Sequence, residues 1–188
     1  MTLLERLKAE TRPAHDRIEN ALDLERHIAT RDGYKELLIR FYGFHSAWEK
    51  AAGGIVSDKA FFESRCRTKL LSKDLAALGL RDEEIIRLPQ CAPLMPLPSP
   101  AAVLGGMYVV EGSTLGGVVI AREVERKLGL DAETGCAYFG SHGRETAMMW
   151  KHFKEKLLSA SSRETDDVIV ATAQKTFAVM HDWLCEAP

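Results

Sequence analysis

The chain has 188 residues, 46% of them hydrophobic and 28% charged, with a net charge of −2 and a pI of about 6.3. That size supports one compact domain with a sizeable core. The near-balanced charge gives no electrostatic case for nucleic acid or an anionic membrane as partner. Four cysteines, Cys66, Cys91, Cys136 and Cys185, lie far apart without a C-x-x-C spacing, so no zinc knuckle or thioredoxin-type pair is expected. The first residues, MTLLERLKAETR, carry charges throughout and no apolar run. They do not read as a signal peptide, and a cytoplasmic protein with free thiols is expected.

Helical periodicity dominates the chain. Leu4, Leu7, Thr11, His15, Ile18 and Leu22 recur at three- and four-residue spacing and define one face. Pro13 interrupts that face, so either the helix kinks there or a second helix begins there. Tyr34, Leu37, Leu38, Phe41, Phe44 or His45, and Trp48 form a second stripe, ended by Gly53-Gly54. A third helix is predicted around Phe61 to Leu78, stopped by Gly79. The stretch from Pro89 to Pro100 holds five of the seven prolines and reads as an extended connector. Ser99-Pro100 is a good N-cap followed by proline at the first helical position. A glycine-rich helix then runs to about Leu128, closed by Gly129, and a loop, DAETGCAYFGSHG, follows. Two more helices are predicted, Glu145 to Ser159 and Glu164 to Leu184. Strand candidates such as GVVI are too few to make a sheet. The expected class is all-α, a single domain over residues 1–188.

The glycine-rich helix contains GGMYVVEGSTLGG, Gly105 to Gly117, with five glycines. Each costs about 0.8–1.0 kcal/mol relative to alanine inside a helix, so five cost roughly 4–5 kcal/mol. That is a large part of a typical folding stability of about 5–15 kcal/mol. Two readings are open. Another helix packs closely against Gly105, Gly112 and Gly116, or a flat ligand lies against bare backbone, with Gly116-Gly117 as a hinge. Ala101 to Ala121 carries one charge, Glu111, and is read as a buried core helix rather than a membrane span.

His15 shares a face with Leu4, Leu7, Ile18 and Leu22. Most such histidines are satisfied core or pocket residues. Glu19, one turn on, is placed to accept a hydrogen bond from the second ring nitrogen, as the partner of a ligating imidazole does. Lys8 and Arg12, further back on the helix, suit anionic groups of a ligand, though each alone reads as solvated helix charge. The other histidines make no H-x-x-x-H pair, and no glutamate stands three before any of them. A metal held only by protein is therefore not expected. One histidine suffices if the metal arrives inside a macrocycle.

EGSTLGG in a helix, TRPAH near the N-terminus, YFGSHGRETAMMWKHF and the closing TAQKTFAVMHDWL together resemble haem oxygenases, in the same order and over nearly the full chain. The resemblance is to the bacterial biliverdin-producing branch, often found beside bacteriophytochromes. It implies a helical domain that sandwiches haem between a proximal N-terminal helix and a glycine-bent distal helix. It implies His15 as the iron ligand, Glu19 as the residue holding it, and Gly112, Gly116 and Gly117 as distal glycines close over the ring. Lys8 and Lys154 match residues near the propionates, with Arg12, Lys151 and Tyr108 as further candidates, and Phe177 matches an apolar pocket residue. Animal members carry an aspartate where this chain has Ser113, and a tyrosine where it has Met107. The implied activity is oxidative cleavage of haem, at once cofactor and substrate, to biliverdin, carbon monoxide and ferrous iron. It uses O2 and electrons from an external donor such as a ferredoxin, flavodoxin or reductase, and a bacteriophytochrome is a candidate recipient of the product. A haem carrier or sensor would share the same residues without turnover. A thiaminase-like hydrolase would need a nucleophilic cysteine, and a plain helical interaction module would bind no haem.

Overall fold

The computed structural model describes residues 1–92 and 96–186, and every regular element among them is helical. Part of the expected proline-rich connector, 93–95, lies outside the described residues. Helix α1, Leu3–Ala21, starts at a capping box in which Thr2 Oγ1 accepts from the Glu5 amide and Glu5 accepts from the Thr2 amide. It runs on through Pro13 as one helix. A short α2, Leu24–His27, leads to α3, Arg31–Gly53, capped by Thr30. The buried residues of α3, from Tyr34 and Leu37 to Phe44 and Trp48, follow the stripe expected from sequence.

The third predicted helix is two. Helix α4, Lys59–Glu63, and α5, Thr68–Ala77, are separated by four residues. The reason lies in Arg65 and Arg67, both buried and both aimed at Glu111. Two residues apart on one helix they would diverge by about 200°. Breaking the helix lets both reach one carboxylate. Glu49 then accepts from the freed amides of Arg67 and Thr68.

After α6, Asp82–Ile86, the glycine-rich helix α7 spans Pro100–Leu128 without a break. Ser99 caps it, Pro100 opens it, and Gly129 closes it with φ 67°. The predicted loop after it contains a short α8, Ala137–Gly140, and a 3-10 turn at Gly143–Glu145. Helices α9, Thr146–Ser159, and α10, Arg163–His181, follow, with a π-helical turn at Asp182–Glu186. Helix α10 is the shared support, packing against both α1 and α7. By length and composition α7 would also cross a membrane, but half of its most apolar window is buried inside the fold.

The crossing of α7 and α10 requires Gly105. A Cβ there would meet the Ile169 carbonyl oxygen and lie 2.9 Å from Thr172 Cβ. Gly106 does the same toward α3, where a Cβ would sit 2.7 Å from Trp48 Nε1. Gly105→Ala is expected to destabilise by about 1–3 kcal/mol, although alanine is the better helix former. That lowers Tm by roughly 2–12 °C, which a thermal melt monitored by circular dichroism measures.

Candidate functional site

The glycines of α7 divide into two groups. Gly105 is a packing residue, as the first reading of the motif held, and Gly106, which that reading did not name, is another. Gly112 and Gly116 are not: a Cβ at Gly112 would meet only Trp150, at an ordinary 3.7 Å, and a Cβ at Gly116 would meet nothing within 4 Å. Helix geometry places Gly105, Tyr108, Gly112 and Gly116 along one stripe. The stripe is closed by α10 at its start and open at its end. Gly117 lies off the stripe, toward the Phe139 carbonyl, where a Cβ would come to 3.0 Å. Ser113 also turns aside, its hydroxyl donating to the Val110 carbonyl at 2.8 Å.

His15 stands on α1 with its side chain 45% exposed. Its Nδ1 is buried, without a fully formed hydrogen bond, and lies 3.4 Å from Glu19 Oε2. The exposed part of the ring is therefore the rest of it, which carries Nε2. Phe177 of α10 meets the imidazole edge-to-face, centroids 6.0 Å apart. Helix α1 runs along α10 in the same direction, with Arg6 at Asp167, the Glu10 carbonyl at Gln174 and His15 at Phe177. The Tyr108 hydroxyl of α7 lies beside Thr11 of α1, and burial pushes its pKa up. Tyr108 also packs on Trp150, centroids 5.6 Å apart. So α1 and α7 approach at Thr11 and Tyr108, with His15 and Gly112 each one turn further along its own helix.

The basic candidates differ in their freedom. Lys8, exposed on the His15 face of α1, and half-buried Lys154 on α9 make no ion pair among the described residues. Arg12 is engaged by Asp16 at 2.8 Å, and Lys151 stands 3.9 Å from Glu155. His15, Asp16 and Glu19 hold three donor atoms close together. The two carboxylates there already serve the imidazole and Arg12. The cysteines form no disulfide among the described residues, and burial pushes the Cys136 thiol to about 11 and the Cys66 thiol to about 12. Neither is a thiolate at neutral pH, so neither supplies the nucleophile a thiaminase-like hydrolase needs.

A family model described as Heme oxygenase matches residues 1–186. The chain belongs to the haem oxygenase family. Haem degradation is the chemistry of that family. Haem oxygenase from Neisseria meningitidis, solved with NO and CO bound, shares 22% identity over 99% of this chain and 92% of that one, with a TM-score of 0.79. Haem oxygenase from Leptospira interrogans shares 18% over 100% of both chains, TM-score 0.80. Haem oxygenase-1 from the cyanobacterium Synechocystis, solved in complex with haem, shares 18% over 99% of this chain and 92% of that one, TM-score 0.74. At these identities the likeness is one of fold. No curated protein matches the chain at a significant level.

The donor set fits haem. A histidine with one nitrogen oriented by a carboxylate and the other exposed suits a single axial ligand. The open Gly116 face presents bare backbone with no neighbour within 4 Å of a Cβ placed there. Sequence reading missed Trp150, which walls Gly112. It also missed a buried polar cluster behind α7, formed by His45, Glu49, Arg65, Arg67, Glu111, Tyr138 and His142. Glu111 was visible as the one charge in an apolar helix, but nothing in the sequence paired it with Arg65 and Arg67.

Two measurements follow from this geometry. Gly116→Leu is expected to leave the Tm of the haem-free protein unchanged or raised by about 2–4 °C, since leucine is the better helix former and meets no neighbour. The same change should weaken haem binding at least tenfold in an absorbance titration. Burial and the Arg67 charge hold His45 at about 3 and His142 at about 4, below the ordinary 6.5. The unfolded chain therefore binds more protons than the folded one between about 6.5 and 4, and stability must fall as pH drops through that window. Urea midpoints at pH 7, 5.5 and 4.5 should decline, and His45→Gln should flatten the slope.

Proposed function

We propose that this chain cleaves haem oxidatively to biliverdin, carbon monoxide and ferrous iron, using O2 and electrons from an external donor protein such as a ferredoxin, flavodoxin or reductase. A bacteriophytochrome fits as recipient of the biliverdin. The observation that carries the reading is the pairing of an oriented, half-exposed imidazole on α1 with an unobstructed glycine face on α7. The Synechocystis relative, whose structure contains haem, supports the choice of ligand.

When bound, haem supplies both the iron that activates oxygen and the ring that is cut. The rest is the work of this chain. His15 would hold the iron through Nε2 while Glu19 fixes Nδ1. As a neutral imidazole, His15 would donate less electron density to the iron than a thiolate does. Gly112 and Gly116 would leave room on the distal side where any larger side chain would obstruct oxygen. Lys8 and Lys154, neither in an ion pair among the described residues, would meet propionates, and Tyr108 and Arg12 are second candidates for that role. A charged clamp at one ring edge fixes the rotation of the ring, and with it the carbon that is cut. Phe177 and Trp150 supply apolar walls that exclude water.

The test is aerobic turnover of hemin-reconstituted protein with a reductase or ascorbate, the product identified by chromatography. Loss of the Soret band with formation of biliverdin is expected. A stable haem complex without product would make the chain a carrier or sensor. His15→Ala should abolish the histidine-ligated spectrum and turnover together. Glu19→Ala should weaken haem binding about tenfold or more. A His15→Ala spectrum identical to wild type would contradict the assignment.

A further inference from the structure

One buried charge belongs neither to the Glu111 cluster nor to the haem face. Asp74 on α5 is fully buried and makes no ion pair among the described residues; the neighbouring Lys73 is turned to Glu133. Its two oxygens each accept a backbone N–H of α8, Oδ1 from Ala137 and Oδ2 from Tyr138, both at 2.7 Å. Burial pushes its pKa up to about 6 against the pull of those two amides, so at neutral pH the group is chiefly a carboxylate and both bonds are charge-assisted. A buried carboxylate is costly unless its hydrogen bonds are well made. Two aimed backbone amides are what this one has.

What the two bonds secure is a segment that would not hold its own shape. Helix α8 has four residues, too few to be stable alone. It ends at Ser141, with φ 44° and ψ −118°, a backbone conformation that residues with a side chain rarely adopt. The Ser141 hydroxyl oxygen is buried there without a partner among the described residues. A turn of that kind persists only where its surroundings over-determine it. Asp74 grips the start of α8, and the buried Tyr34 hydroxyl donates to the Gly135 carbonyl just before it, at 3.1 Å. Helix α8 in turn bears on α7. A Cβ at Gly117 would come to 3.0 Å from the Phe139 carbonyl oxygen, so the two main chains approach closely there, while one residue earlier Gly116 meets nothing.

We infer that Asp74 is a positioning residue for the haem reaction: by holding α8 it fixes where the Gly112–Gly117 half of α7 stands over the ring, and with it the room left for oxygen. The inference rests on the haem oxygenase reading above. Asp74 touches neither haem nor oxygen and acts through α8 and Gly117. Helix α10 clasps α7 at Gly105, roughly two to three turns before the bare face. Further along, Trp150 of α9 stands at an ordinary contact distance from a Cβ at Gly112, and the Phe139 main chain makes the tight contact at Gly117. Gly116 and Gly117 are consecutive, so a shift at one carries the other. A misplacement of about 1 Å at reacting atoms costs on the order of 100-fold in rate. A carboxylate two elements away from the ring is therefore enough to govern the reaction, provided that α8 transmits its hold.

The test compares three variants of the full chain. Asp74→Asn keeps the shape but loses the charge and turns an NH2 group toward one of the two backbone donors. Gly117→Ala presses on the same contact from the α7 side. Leu71→Ala, at a fully buried position one turn earlier on α5, is a control for plain loss of stability. In haem-free protein, amide hydrogen exchange at residues 113–120, taken relative to residues 102–108, should quicken about tenfold in Asp74→Asn and keep its wild-type ratio in Leu71→Ala. With hemin, Asp74→Asn and Gly117→Ala should hold haem affinity within about threefold while turnover per bound haem falls about tenfold or more. The C–O stretching band of their ferrous carbonyl complexes should shift or split, and Leu71→Ala should lower Tm with band and turnover unchanged. If Asp74→Asn does not fold, Gly117→Ala carries the band and turnover readouts, and wild-type values there overturn the inference. Wild-type exchange ratio, band and turnover in Asp74→Asn, or the same changes in Leu71→Ala, overturn it too and leave the proposed function standing. Wild-type protein that binds haem and forms no biliverdin overturns the function itself, while the exchange ratio still measures the hold of Asp74 on α7.

Discussion

The structure depends on how closely α7 lets its neighbours approach. At Gly105 and Gly106 the approach is complete: the backbone of α10 and the indole of Trp48 occupy the space that side chains would need. At Gly116 the same helix meets nothing. One run of glycines therefore does two different jobs. Its first pair locks the helix into the core, Gly117 packs toward the Phe139 carbonyl, and Gly112 and Gly116 leave a bare surface. The roughly 4–5 kcal/mol of helix propensity lost over five glycines is offset at the start by packing. At Gly116 no neighbour among the described residues offsets it. Main chain left uncovered at such a cost is what a ligand-binding role would explain.

A second constraint holds that surface in place. Glu111 sits one residue before Gly112 and is buried between Arg65 and Arg67. Burial pushes its carboxyl upward while the two guanidiniums pull it back. Removing one member of such a cluster leaves a buried charge uncompensated, at about 3–5 kcal/mol. The cluster fixes the rotation of α7 about its axis, because Glu111 must face the arginines. The stripe of Tyr108, Gly112 and Gly116 is then turned elsewhere, and α10 with Phe177 ties it to the helix that carries His15.

Much of this was legible in the sequence. The stripes of α1 and α3, the Ser99-Pro100 start and the Gly129 stop of α7 each rest on local rules, and local rules are written in consecutive residues. The pairing of His15 with Glu19 follows from a four-residue spacing. What was not legible is long-range. The interruption between α4 and α5 exists because two arginines share one distant carboxylate, and no periodicity announces that. The division of labour among the glycines depends on which neighbour lies opposite each one. Likewise His45 read as one more member of the α3 stripe, and only its contact with Tyr138, 93 residues away, shows it as part of a polar wall.

The most direct test is resonance Raman spectroscopy of the ferrous haem complex, prepared at one hemin per chain. An iron–histidine stretching band that shifts with isotopically labelled histidine and vanishes when position 15 is changed is the result expected. No stoichiometric complex, or a band that survives loss of the His15 imidazole, would contradict the placing of iron between α1 and the uncovered main chain of α7.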